Sequence, residues 1–145
     1  MIDNIHKVFD NRQDSLLIPP DISKACDRVR HQGLLLKFKQ RGIIGTLLNW
    51  FNSYHSNRHQ HVCVGGSYSS LKNTNAAVPQ RSILGPILLL VYVSDMCSNL
   101  VSDPHQFADD TMIIFTFIDP LSAAIMVNSD IYNLSRWRVT FNLII

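Results

Sequence analysis

Two aspartates side by side, Asp109-Asp110, stand between Phe107-Ala108 and the strand-like run Thr111-Met112-Ile113-Ile114-Phe115, and no other feature restricts this chain's folding as much. Adjacent carboxylates repel, and desolvation raises their pKa, so a tight turn that carries both is costly unless a cation neutralises the pair. A divalent metal is the natural neutraliser. A third carboxylate from elsewhere would complete the oxygen-rich site that Mg²⁺ favours, a few carboxylates joined by substrate phosphates. Aspartate is also a turn former, so the pair read alone equally fits a solvated turn.

All 11 acidic residues are aspartate, and 13 Lys and Arg bring the formal charge of the 145 residues to +2. The balance hides an uneven distribution. From Asp21 to Arg81, nine cations (Lys24, Arg28, Arg30, Lys37, Lys39, Arg41, Arg58, Lys72, Arg81) face two Asp, whereas from Ser82 onward six Asp face only Arg136 and Arg138. A basic stretch joined to an acidic one suits a polyanion on one side and metal ions on the other. Composition, 46% hydrophobic and 17% charged, permits one domain with a buried core. Three widely spaced cysteines, Cys26, Cys63 and Cys97, give no disulfide framework and point to an intracellular, reducing setting. Asp3 and Asp10, without an apolar h-region, argue against a signal peptide. The greasy run Ile83 to Val93 contains Gly85 and Pro86 and falls short of the ~20 residues of a membrane span. It reads as a buried helix.

Periodicity predicts a mixed order of elements. Leu16 to Ile18 is a short strand cut by Pro19-Pro20, which cannot donate to a ladder. Leu34, Leu35 and Phe38 fall at helical spacing from His31, with Gly42 as the stop. A second helix runs from Thr46 to about Tyr54. Gln60 to Val64 alternates and turns at Gly65-Gly66 into Ser67 to Leu71. Ser82 caps a helix from about Leu84 to Cys97. Gln106 to Ala108 and Thr111 to Phe117 are strands flanking Asp109-Asp110. A last helix starts at Pro120 with Asp119 as cap and Leu121, Ala124, Val127, Ile131 and Leu134 on one face.

Ordered motifs add more than any single one. They are Asp21-Ile22-Ser23-Lys24-Ala25-Cys26-Asp27-Arg28-Val29, His31 with Leu34, Gly42-Ile43, Trp50 with Tyr54 and Arg58, Val78-Pro79-Gln80, Ser82, Leu84-Gly85-Pro86, and Phe107 to Thr111. In this order they resemble the reverse transcriptases of non-LTR retrotransposons across roughly residues 5 to 143. The resemblance implies an α+β, polymerase palm-like fold, a small antiparallel sheet packed on helices. Residues 1–145 would form a partial reverse transcriptase domain, palm with part of the fingers, lacking full fingers and thumb.

The resemblance further implies an RNA-directed DNA polymerase that transfers a nucleotide from a dNTP to a primer 3′-hydroxyl by two-metal catalysis. Asp21, Asp109 and Asp110 would be the catalytic and metal-holding residues, for two Mg²⁺ ions or Mn²⁺. Ile22, Ser23, Cys26, Pro79, Gln80 and Arg81 would bind nucleotide. The implied partners are an RNA template, a DNA primer and dNTP, with no membrane, and the fingers and thumb regions of a full-length element protein. The implied location is intracellular, nuclear or cytoplasmic.

Five positions depart from the family pattern. Cys26 replaces the Phe that screens the sugar 2′-position, Ala77 and Arg81 replace glycines, and Pro19-Pro20 replaces an apolar pair. These departures motivate an alternative, an inactive retroelement remnant that is at most a weak nucleic-acid-binding module.

Other residues carry plainer expectations. His59, His61 and Cys63 offer at most three zinc ligands on one strand face, where four are needed, and read better as an exposed basic face. Lys37, Lys39 and Arg41 either track phosphate or solvate a helix end. Trp50, Phe51, Tyr54 and Trp137 read as core. Asn142 is the one residue left to match the family's Asn-x-x-Lys stretch.

Overall fold

In the computed structural model, residues 13–141 are described, so Asp3, Asp10 and Asn142 lie outside the described residues. The fold is α+β. Its elements are β1 (Asp14–Ile18), α1 (Ala25–Arg28), α2 (His31–Gln40), α3 (Gly45–His55), β2 (His59–Gln60), β3 (Cys63–Val64), β4 (Ser67–Tyr68), β5 (Lys72–Asn73), α4 (Leu84–Val93), β6 (Asp103–Phe107), β7 (Asp110–Phe117) and α5 (Pro120–Phe141). The chain divides into two compact units, one of residues 1–25 with 93–145 and one of residues 26–92.

The first unit is built on an antiparallel sheet of order β1-β7-β6. Strand β7 is central because its β-branched and aromatic run suits a strand buried on both faces, and Ile113, Ile114 and Phe115 are buried. Pro104 is tolerated because β6 is an edge strand. Helix α5 covers the face that carries Ile113 and Phe115, leaving an apolar pocket of 170 Å³ between them and Ile131 and Leu134. Asp119 caps α5 as expected, its Oδ1 accepting from the amides of Leu121 at 2.9 Å and Ser122 at 3.0 Å.

The buried face of α5 differs from the expected one. Leu121 is 72% exposed and Ile131 half exposed, while Ala123, Asp130, Leu134 and Phe141 are buried. Asp130 sets this rotation. Its carboxylate accepts from the Val101 amide at 2.8 Å, the Ser102 amide at 3.1 Å and the Ser102 hydroxyl, so the polar side chain is satisfied where hydrophobic periodicity expects none. Trp137 is half-buried, and its indole donates to Asp95 at 2.8 Å.

In the second unit, α2 closes on a Schellman motif at Gly42, φ +81°. The Ile43 amide bonds to Phe38 O at 2.9 Å and the Gly42 amide to Lys39 O at 3.0 Å. Phe38 stacks on Phe51 of α3 at 4.2 Å between ring centroids. Val29, Leu34, Phe38, Val78, Leu88 and Tyr92 are buried. The β2–β5 hairpin turns at Gly65-Gly66, both at positive φ as a type I′ turn requires. It is broken in the middle, where the Ser69 hydroxyl accepts from the Val62 amide at 2.9 Å.

Four expectations are corrected here. Helix α4 ends at Val93, not Cys97, the chain tightening beyond it into turns in which the Met96 amide donates to Val93 O at 2.9 Å and the Ser98 amide to Asp95 O at 3.2 Å, and the Asp95 anion is disfavoured at a helix C-terminus. It is not wholly buried, since Ile87 and Leu90 are about half exposed. Trp50 is 49% exposed and stacks on Tyr54 rather than entering the core. Lys37 is 1% exposed, its ammonium donating to Tyr92 O and lying 5.2 Å from the Tyr92 ring, so it is a packing residue rather than a phosphate contact. Among the described residues, no helix is long and apolar enough to cross a membrane.

Candidate active site

The register of the first unit brings two of the three aspartates together. Strand β1 pairs with β7 from Asp14 opposite Phe117 to Ile18 opposite Ile113. Pro19-Pro20 ends the ladder by removing its donors. Continuing the same register three residues places Asp21 level with Asp110, the first residue of β7. Both line one cleft of 510 Å³ with Pro19, Pro20, His105 and Thr111.

Asp109 occupies a different position. The turn between β6 and β7 consists of Ala108 and Asp109, since Phe107 pairs with Asp110. Ala108 has φ +56°, the sign a type II′ turn needs at its first loop residue and normally fills with glycine. Asp109 is half-buried in this turn and does not line the cleft. Among the described residues, no three His, Cys or Asp side chains gather as a metal-holding group.

The cleft nonetheless has unsatisfied polar groups. Thr111 is 5% exposed and its Oγ1 has no hydrogen-bond partner. His105 Nε2 is buried and lies 3.4 Å from Asp103 Oδ2 without hydrogen-bond alignment. Two carboxylates beside orphaned polar atoms suit a Mg²⁺ ion, which keeps several waters and takes one or two protein carboxylates together with phosphate oxygens. What the described residues supply toward such an ion is two carboxylates on one cleft, without a third acidic or imidazole ligand gathered beside them.

Of the expected nucleotide residues, Ile22 is buried and Ser23 exposed in the turn before α1, where Lys24 has φ +55°. Cys26, Pro79, Gln80 and Arg81 belong to the second unit. There, segment 76–80 is bound to segment 26–31. The Ala77 amide donates to Val29 O and the Val78 amide to Cys26 O, both at 2.9 Å. Gln80 Nε2 donates to Asp27 Oδ1 at 2.9 Å, and His31 Nε2 donates to Ala77 O at 2.9 Å. Beyond it, the Ser82 hydroxyl donates to Pro79 O at 2.6 Å and accepts from the Gly85 amide at 2.9 Å, the helix cap expected of Ser82. Gly85 is required, because a Cβ there would meet Pro79 O at 2.6 Å.

The two lost glycines leave a mark on this loop. Ala77 has φ +82° and Arg81 φ +59°, the left-handed region that L-residues enter at a cost of about 1–2 kcal/mol. The backbone thus keeps a glycine conformation at both positions.

Charge divides with the units. Between Cys26 and Tyr92, eight Lys and Arg face Asp27 alone, a formal +7, whereas the remaining residues hold ten Asp against five Lys and Arg, a formal −5.

Sequence reasoning gave His55 and Asp130 no role, and His31 none beyond its place in the motif. His31 and His55 are 7% and 3% exposed with ring centroids 4.6 Å apart. No periodicity or motif announces a pairing between the start of α2 and the end of α3. Burial, opposed by the Phe51 carbonyl and reinforced by the nearby His31 and Arg58, holds the His55 pKa below 6.5. Burial and the Asp130 charge push the Cys97 thiol up.

No family model matches the chain. An RNA-directed DNA polymerase from the mobile element jockey of Drosophila melanogaster is 35% identical over 131 residues, 85% of this chain and 14% of that polymerase. A probable RNA-directed DNA polymerase from transposon X-element of the same organism is 30% identical over 148 residues, 99% of this chain and 16% of the relative. Another from transposon BS, also of Drosophila melanogaster, is 32% identical over 121 residues, 78% and 13% of the two lengths. The chain thus spans about one seventh of the length of the curated relatives it matches. Matched over most of its own length, this chain belongs with the reverse transcriptases of non-LTR retrotransposons.

Proposed function

We propose that the chain is the palm-like part, with some of the fingers, of an RNA-directed DNA polymerase, and that Asp21, Asp109 and Asp110 serve nucleotidyl transfer from a dNTP to a primer 3′-hydroxyl. The observation that carries this reading is the register that sets Asp21 level with Asp110 at one end of the β1-β7-β6 sheet. Asp21 and Asp110 supply the carboxylate oxygens and the negative charge, and Asp109 adds charge from the turn between the strands. Two Mg²⁺ or Mn²⁺ ions bound there would activate the primer hydroxyl and stabilise the departing pyrophosphate. Gln80, fixed by Asp27, orients the loop that handles the nucleotide. Arg81, exposed beside it, offers a cation to phosphate, and Ile22, Ser23, Cys26 and Pro79 complete the nucleotide contacts. The RNA template and DNA primer draw on the +7 charge of residues 26–92.

A second reading is favoured by one specific observation, the left-handed backbone at Ala77 and Arg81 where the family pattern has glycine. In that reading the chain is a polymerase remnant that no longer extends primers. Primer extension on an RNA template with Mg²⁺ separates the two. Product that disappears in D110N supports the enzyme. No product from the native chain, nor from a variant carrying A77G, R81G and C26F together, supports the remnant.

A further inference from the structure

We infer that His31 and His55 form an acid-released clasp on the 76–81 loop, with His31 as a positioning residue and His55 as the buried prop that fails on protonation. The bonds fix the tautomers. Carbonyl oxygens only accept, so His31 donates from Nε2 to Ala77 O and His55 donates from Nδ1 to Phe51 O at 2.8 Å. His55 Nε2 is then a bare lone pair, and it is buried without a partner.

A proton added there makes a cation with no acceptor in reach. The groups that face it are the His31 ring at 4.6 Å, the Tyr54 ring at 5.1 Å, and Arg58, whose guanidinium lies 4.5 Å from the Tyr54 ring and whose Nε donates to Tyr54 O. None is an anion. Asp27, the one carboxylate between residues 26 and 92, is engaged by Gln80. A buried charge without a counter-charge is expelled rather than tolerated. When His55 leaves, the His31 ring loses the surface it rests on, and the Ala77 carbonyl loses its side-chain donor.

That carbonyl belongs to a residue held at φ +82°. The strained peptide persists only while its surroundings over-determine it, so the loop relaxes when the clasp opens. His55 has its pKa lowered in the closed state, so the open state binds the proton first. The clasp is secure above pH 6.5 and weakens as pH falls below it.

The consequence for nucleotide use rests on the proposal that this loop handles the dNTP, and the experiment separates the two claims. Amide exchange of Ala77 and Val78 is followed in the full chain as protection factors, alongside the His55 ring-proton shift. One pH unit below 6.5, protection is expected to be lower than at neutral pH, by at most about tenfold. Protection should begin to fall near pH 6.5 and level off where the His55 ring itself titrates. In H55F, which fills the site without a titrating group, the acid dependence should vanish. Protection that stays constant with pH in the native chain, or that goes on falling below the pH at which His55 titrates, overturns the clasp, as does acid dependence retained in a folded H55F. The second arm is the pH profile of primer extension, where acid should raise the KM for dNTP with little change in kcat. If exchange follows His55 while KM does not, the clasp stands and the assignment of the loop to the nucleotide fails.

Discussion

Restoring glycine at positions 77 and 81 should stabilise the chain, because both positions hold left-handed backbone, φ +82° and +59°. Glycine relieves about 1–2 kcal/mol of Cβ strain at such a residue. It also widens the unfolded ensemble, which takes back about 0.4–1 kcal/mol. The net gain is about 0.5–1 kcal/mol per site, once the two opposing effects are combined. Nothing else of weight is lost: the bonds of Ala77 to Val29 and His31 use its backbone, which glycine keeps, and the Arg81 side chain is exposed. For a chain of this size, each kcal/mol raises Tm by roughly 3–5 °C, so the double variant should melt about 3–10 °C higher than the native chain. Thermal unfolding followed by circular dichroism reads this directly. Ala76, which neighbours the strained pair but has ordinary φ and bridges Arg30, is the control, and A76G should lower stability by about 0.5–1 kcal/mol. A double variant that melts at or below the native temperature would refute the reasoning.

Other perturbations probe different parts of the account. G85A places a Cβ 2.6 Å from Pro79 O and should cost about 1–3 kcal/mol in urea unfolding, as overpacking against backbone does. D130A orphans three donors on Val101 and Ser102 and should cost about 3 kcal/mol by the same assay, given about 1–3 kcal/mol for each unsatisfied buried group. The Ser122 amide holds the Asp119 carboxyl below 3.8. Its capping contribution is therefore present above 3.8 and fades as pH falls through the lowered native value. Helicity of D119A should fall short of native near neutral pH and match it in strong acid.

Local chemistry made much of the fold legible. Gly42, Gly65-Gly66, Ser82 and Asp119 each act within a few residues of themselves, and each stops, turns or caps where the sequence says it should. The run Thr111 to Phe117 declares a strand by its apolar, β-branched character, and its central place in the sheet comes from the pairing with β1 and β6. What escaped depends on partners distant in sequence. The rotation of α5 is set by Asp130 reaching back about 29 residues to Val101, and hydrophobic periodicity cannot weigh a carboxylate that finds its donors in a loop. Lys37 was misread for the same reason, because its acceptor is Tyr92 O, 55 residues away. In the candidate site, the motifs name Asp21, Asp109 and Asp110, and the antiparallel register sets Asp21 level with Asp110. The His31–His55 pair was not, because it joins the ends of two helices that no local signal links.

The central claim is that Asp21 and Asp110 together hold a divalent cation at the end of the β1-β7-β6 sheet. Titration of the native chain with Mn²⁺, read as paramagnetic broadening of individual amide resonances, tests it most directly. The account predicts that Asp21, Asp110 and Thr111 broaden first and together, and that D21N or D110N abolishes the effect while leaving the fold intact. Broadening confined to other aspartates, or undiminished in both variants, would contradict it.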